Sequence, residues 1–257
     1  FYLDSSTSVA VQWETDMATT ASVIEWGEAQ VDDNRKLGAT FVLGPKGGTQ
    51  ARVHEARLCD LVPGTTLQYR VGVDGAFSDT YTYTTIDPAA TELTALVVGD
   101  SRGGNDTLAD LVSLAVPHDP QLVIHTGDMV NIGSSLPDWA DLYDHVPELA
   151  SIPMVSVHGN HEYLAEEFFG MVASPGDEEY FSLDIGPMHL AVLNDSRDPQ
   201  DMEGQAAWLD QDLAKTSAPF KVVATHKPMY SSGTHGGEGV THGKVVPVLD
   251  THGVHLV

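Results

Sequence analysis

The sequence predicts a multidomain chain, with an all-β sandwich over residues 1–86 followed by an α/β domain over residues 87–257. Three observations predict it. Up to residue 86, apolar and polar residues alternate with period two and no helical period intervenes. Asp87-Pro88-Ala89-Ala90 then reads as a short linker. Beyond it, short apolar runs of the kind found in buried parallel strands alternate with helical patterns, which is the signature of an α/β fold.

In the first part, Ser8-Val9-Ala10-Val11-Gln12-Trp13 and Ala21-Ser22-Val23-Ile24-Glu25-Trp26 read as half-buried antiparallel strands. Leu67-Gln68-Tyr69-Arg70-Val71 and Tyr81-Thr82-Tyr83-Thr84 read the same way, with turn residues between the runs. In the second part the strand-like runs are Leu96-Val97-Val98, Leu122-Val123-Ile124, Met154-Val155-Ser156-Val157 and Val222-Val223-Ala224. Asn105-Asp106-Thr107 offers caps for a helix that carries Leu108, Leu111, Val112 and Ala115. Trp139, Leu142, Tyr143 and Val146 mark a second helix face, and Trp208, Leu209, Asp212 and Leu213 a third.

The chemistry-bearing residues stand where these strands run out. They are Gly99-Asp100-Ser101-Arg102, Gly127-Asp128, Gly159-Asn160-His161-Glu162, and His226 in Val222-Val223-Ala224-Thr225-His226-Lys227-Pro228. Open α/β sheets gather ligands at the carboxyl ends of their strands, so two carboxylates, an amide oxygen and an imidazole are expected at one rim. Those donors suit divalent metals of intermediate hardness. Taken singly, an Asp after a strand is a helix cap and an Asn a turn residue; the ordered set argues for a metal site. His125, His158 and His189 are read as packing or surface residues.

Composition narrows the partners. With 37 acidic against 12 basic residues and a formal net charge of −25, the surface repels nucleic acid and anionic membranes as bulk partners. No apolar run reaches the length of a membrane span. Cys59 is the single cysteine, which excludes an internal disulfide and a zinc–cysteine site. Oligomeric state is left open.

The ordered clusters GD, GD, GNHE and strand-then-His resemble the calcineurin-like metallophosphoesterases, and the flanking sequence resembles their purple acid phosphatase branch. Supporting stretches are Glu179-Tyr180-Phe181-Ser182-Leu183 leading to His189-Leu190-Ala191-Val192-Leu193-Asn194, and Gln205-Ala206-Ala207-Trp208-Leu209 with Asp212-Leu213. Tyr230-Ser231-Ser232-Gly233-Thr234-His235-Gly236-Gly237-Glu238 fits as well. The first domain is similar to a fibronectin type III sandwich. Leu61 to Val71 match its turn and penultimate strand, Trp13 stands at its core tryptophan, and Leu67 replaces its corner tyrosine.

The resemblance implies hydrolysis of phosphate monoesters or diesters at a binuclear centre of divalent or trivalent ions (Fe, Zn or Mn), with a metal-activated water attacking phosphorus. It also implies a phosphate ester as partner and an extracytoplasmic location, secreted or periplasmic. A phosphate ester is an anion, so in so acidic a protein the bound metals must supply the positive charge. Carried over position by position, Asp128 bridges the metals, Asp100 is terminal on the first, and Asn160 and His226 are terminal on the second. His161 is the non-ligand histidine that contacts phosphate or protonates the leaving group, Glu162 orients His161, and His235 faces the substrate.

Two positions depart from the pattern. Arg102 stands where the wider family often has a histidine, and Asn131 where the purple acid phosphatase branch has a tyrosine. Arginine stays protonated and cannot ligate a cation, so the first metal lacks a ligand unless Asn131, Asp106 or a water fills in. Arg102 suits a bidentate grip on phosphate oxygens or, equally, a surface salt bridge, and is assigned to substrate binding together with Asn131 and His235. These departures feed an alternative reading, a non-catalytic surface or partner-binding module with a degenerate metal site. The resemblance further implies a domain truncated at both ends: the sandwich lacks its opening strand, and Gly253-Val254-His255-Leu256-Val257 leads to the place of a Gly-His-x-His motif. The expectation is that the 257 residues taken alone are inactive.

Overall fold

The structure, a computed structural model, describes residues 4–176, 178–196, 201–233, 237 and 239–257. The first part builds strands β1 (Val9–Thr15), β2 (Val23–Gly27), β3 (Asn34–Leu37), β4 (Ala39–Leu43), β5 (Ala51–Leu58), β6 (Thr66–Val73), β7 (Ala76–Phe77) and β8 (Tyr81–Thr84). They form two antiparallel sheets, β1-β5-β4 and β3-β2-β6 with β7 and β8 both paired to β6. Alternation puts Leu67, Tyr69 and Val71 of β6 inside and leaves Thr66 and Gln68 exposed. The inward residues meet Val9, Ile24, Ala56, Leu58 and Tyr83 in one core, against which Trp13 packs half-buried.

The second part begins with β9 (Ala95–Val98), α1 (Asn105–Ala115), β10 (Leu122–His125), α2 (Leu136–His145), β11 (Met154–Ser156) and α3 (Glu166–Met171). It continues through β12 (Phe181–Ile185), β13 (Met188–Val192), α4 (Asp201–Leu213), β14 (Phe220–Ala224) and α5 (Gly239–His252). Strands β11-β10-β9 form a parallel sheet. In the second sheet β12 runs antiparallel to β13, and β13 parallel to β14. The two sheets share a core of Leu122, Ile124, Val155, Leu183, Ile185, Leu190 and Val192. Helices cover the outer faces: α1 and α2 through Leu108, Val112, Trp139 and Leu142, α4 and α5 through Leu209, Leu213, Val245 and Leu249. The result is an α/β/β/α layering in which the carboxyl ends of β9, β10 and β11 share one rim.

The expected cap of α1 is corrected. Gly104 holds the N-cap position, and Asn105 is helical and buried because its amide donates to Asp141 on α2 at 2.6 Å. The two parts are in contact: Leu43, Ala51 and Val53 join the core around Trp139 and Phe168, and Ser5 Oγ donates to the Asp184 carbonyl at 2.6 Å.

A buried ion cluster lies on β13, where His189 is 5% exposed. Its Nδ1 lies 2.7 Å from Asp184 Oδ1 and its Nε2 2.8 Å from Asp212 Oδ2, while Ser182 Oγ donates to Asp212 Oδ1 at 2.9 Å. Burial by itself lowers the imidazole pKa, but the bonds to Asp212 and Asp184 outweigh it and hold the ring above its ordinary 6.5. Burial raises the Asp212 carboxyl, and the bonds from His189 and Ser182 outweigh that, holding it below 3.8. A raised histidine stabilises fully below its unfolded pKa and loses that effect as pH rises through the folded value. A depressed carboxyl does so above its unfolded pKa and loses the effect as pH falls. Wild type should therefore exceed His189→Gln by about 1.5–3 kcal/mol between roughly pH 4 and 6.5, the gap narrowing on either side. Calorimetric unfolding at a series of pH values checks this, and a gap unchanged from acid to alkaline pH would count against it.

Candidate metal centre

The rim loops are short and conformationally demanding. Asp100 and Asp128 sit at φ 53° and 55°, and Arg102 at φ 26°, all in the left-handed region that side chains rarely adopt. Close approach explains two of the glycines. A Cβ on Gly159 would lie 2.2 Å from the Asp128 nitrogen, and one on Gly127 would lie 2.8 Å from His226 Nδ1. Backbone bonds join the loops: Asp100 N–H donates to the Gly127 carbonyl at 3.0 Å, and Arg102 N–H to the Asp128 carbonyl at 3.2 Å.

Glu162 is corrected in role. It is fully buried, and its hydrogen bonds among the described residues go to backbone amides rather than to the His161 ring. Its Oε2 accepts the amides of Asp128 (3.0 Å) and Gly159 (2.7 Å), and its Oε1 those of Met129 (2.9 Å) and Val130 (3.4 Å). Burial pushes its carboxyl pKa up, and the Gly159, Asp128 and Val130 amides draw it part of the way back. The carboxylate clamps the loops after β10 and β11 together.

On the side facing β14, the residues fit a metal. His226 Nδ1 lies 2.9 Å from the Thr126 carbonyl, which places the ring proton there and the lone pair on Nε2. That Nε2 lies 3.1 Å from Asn160 Oδ1 and 3.4 Å from Asp128 Oδ1. Atoms held about 2.0–2.1 Å from one ion stand roughly 3.0–3.4 Å apart, so the spacing is that of a ligand set. In the neutral ring all three atoms are lone-pair donors with no hydrogen among them, an arrangement a cation resolves. Among the described residues, Asp100, Asp128 and His226 are the group of three whose ligand atoms all lie within 4.8 Å of one another. The Thr126 carbonyl escaped sequence reading because any residue supplies one.

The side facing β9 holds an arginine among the carboxylates. Arg102 Nη2 donates to Asp100 Oδ1 at 3.1 Å, and its Nε lies 3.5 Å from Asp128 Oδ2. Its Nη1 donates to His161 Nε2 at 2.9 Å. The His161 ring is held on its other side by the Asn131 backbone carbonyl, 2.8 Å from Nδ1, so the backbone of Asn131 orients His161 in place of Glu162. Asp106, a candidate to complete the first metal, is turned away: it faces His145 at 3.5 Å and its side chain is 97% exposed. Beneath the site, burial and then the nearby His226 lower the His125 pKa to about 4, and its Nε2 lies 3.0 Å from Ser101 Oγ. His235 lies outside the described residues.

Comparison with known proteins identifies the family. The profile of the calcineurin-like phosphoesterase family matches residues 93–257, and that of the purple acid phosphatase N-terminal domain matches residues 2–85. The chain is 28% identical over 211 residues to purple acid phosphatase 22 of Arabidopsis thaliana, covering 73% of this chain and 47% of that protein. It is 25% identical over 250 residues to purple acid phosphatase 21 of the same plant, covering 89% and 56%. The chain thus spans about half the length of the curated relatives it matches. Among solved structures, the purple acid phosphatase PPD1 from Lupinus luteus seeds superposes with a TM-score of 0.82 at 16% identity, covering 96% of this chain and 55% of that one. PhoD superposes at 0.65 and 12% identity, covering 96% and 67%. At such identities the superpositions show the fold alone. With the family profile matched across well over half its length, the chain belongs to the calcineurin-like phosphoesterases, preceded here by a purple acid phosphatase N-terminal domain.

Proposed function

We propose that the chain carries the site of a metal-dependent phosphatase, hydrolysing phosphate esters with a water activated beside Asp128. The observation that carries the reading is the approach of Asn160 Oδ1 and Asp128 Oδ1 to His226 Nε2, at 3.1 and 3.4 Å. A divalent ion held by these atoms supplies positive charge to the phosphoryl oxygens and acidifies a water. The chain's own groups do the rest. Arg102, 38% exposed at its side chain, is accessible to the phosphoryl group. His161 presents Nε2 beside it, 4.0 Å from Asp128 Oδ2, as the proton donor to the leaving oxygen. As placed, Nδ1 faces the Asn131 carbonyl and Nε2 accepts from Arg102, so donation requires the guanidinium to turn toward phosphate and the ring to take up a proton at Nε2 first.

The test is hydrolysis of phenyl and p-nitrophenyl phosphate by the protein expressed from its full reading frame. Activity should vanish on chelation and return with manganese or zinc; activity that survives metal removal overturns the reading. In His161→Ala, turnover of phenyl phosphate should fall about 10²–10⁴-fold, and that of the p-nitrophenyl ester less. Equal losses would assign His161 to phosphate binding. We extend the proposal to an extracytoplasmic location, which cell fractionation checks. No helix among the described residues is long and apolar enough to cross a membrane.

A further inference from the structure

We infer that Arg102 is the second cation of this centre. Its guanidinium takes the position between Asp100 and Asp128 that a first metal would hold, so the site binds one divalent ion and grips the phosphoryl group with an arginine. The inference rests on the phosphatase reading for its metal and its substrate, and adds which cations the site uses.

The geometry of Asp128 points to it. Its two carboxylate oxygens are divided: Oδ1 faces His226 Nε2 at 3.4 Å, and Oδ2 faces Arg102 Nε at 3.5 Å. One carboxylate thus bridges a ligand set on one side and a guanidinium on the other. Asp100, 3.1 Å from Nη2, is the other half of that grip. The two aspartates are like charges at one rim and need a cation between them; a guanidinium is permanently charged and cannot leave by deprotonation.

Position follows from the backbone as well as the side chain. Arg102 sits in the turn that leaves β9, at φ 26°, with its own N–H on the Asp128 carbonyl at 3.2 Å. The residue is tied to the bridging aspartate before its side chain is considered. Among the described residues, His161 Nε2 on this side already accepts from the guanidinium, and Asp106 faces His145 of α2. When the guanidinium turns from His161, Nη1 is released to phosphoryl oxygens while Nη2 keeps its bond to Asp100.

The test counts ions on the protein expressed from its full reading frame, equilibrated with manganese and freed of excess. Elemental analysis should give one ion per chain, with the paramagnetic resonance spectrum of an isolated manganese. Arg102→His, which removes the guanidinium and adds a neutral ligand, should take up a second ion and show exchange coupling. For inorganic phosphate as probe, Arg102→Gln should weaken binding about tenfold or more. Two ions on the wild type overturn the inference and leave the phosphatase reading standing; no ion on the wild type overturns the reading itself. A wild-type count needs no variant to fold. Should Arg102→His stay at one ion, or Arg102→Gln bind phosphate undiminished, the guanidinium is not the cation that fills this position.

Discussion

Asp128→Ala should remove the metal and lower phosphatase turnover by about three orders of magnitude or more, the scale of losing a principal electrostatic group. The side chain is 2% exposed and is shared by every part of the site. Its Oδ1 belongs to the ligand set with Asn160 and His226 and accepts the His161 amide at 2.8 Å, while its Oδ2 balances Arg102. Without it, Asp100, Asn160 and His226 lose the one carboxylate that contacts both sides of the site. Asp128→Asn separates charge from shape, because an amide oxygen still accepts the His161 N–H. It should keep the wild-type far-ultraviolet circular dichroism and unfolding temperature within a few degrees, yet bind manganese at least about tenfold more weakly. Wild-type manganese affinity in Asp128→Ala would remove this residue from the centre.

How much of this was legible in the sequence depends on which atoms carry the interaction. Leu122-Val123-Ile124 and Val222-Val223-Ala224 announce buried parallel strands because both faces of each are covered, and the side chains at their ends then fall on one rim. Side-chain donors such as Asp128, Asn160 and His226 mark that rim by their types and order, and the structure has Asp128 Oδ1 and Asn160 Oδ1 within 3.4 Å of His226 Nε2. Backbone donors and acceptors leave no such mark. The Asn131 and Thr126 carbonyls orient His161 and His226, and the amides of Asp128 and Gly159 capture Glu162, yet no residue type signals any of them. Arg102 was legible as a departure, but its direction was not, since its place depends on a left-handed turn rather than on a spacing. Helix α5 was hidden for another reason. It contains Pro247 and opens on Gly239 with Gly243 following, so its composition argues against the helix that burial of Val245 and Leu249 stabilises. His189 read as packing or surface because Asp212, one of its two partners, comes from a helix 23 positions away.

Glu162→Ala should be the most destabilising substitution near the site, although Glu162 is not itself placed as a ligand. Removal strands the buried amides of Asp128, Met129, Val130 and Gly159 together, where each hydrogen bond to a charged acceptor contributes more than a neutral one. Water entering the space recovers part of this, so the expected loss is about 3–5 kcal/mol, read as a fall on the order of 10 °C in the unfolding temperature. Metal affinity should drop about 10–100-fold at the same time, because the clamp fixes the loops that carry Asp128 and Asn160. Glu162→Gln should lie between the two, since a single amide oxygen serves one pair of N–H groups while its own NH₂ faces the other pair. The competing role, orientation of the His161 ring, makes a different forecast: unchanged unfolding temperature, unchanged metal content, and kinetics that copy His161→Ala. Measuring unfolding, manganese affinity and turnover of phenyl phosphate on the same Glu162→Ala sample decides between clamp and orienting group, and a stable, metal-replete, slow enzyme would mean that the carboxylate acts through the histidine after all.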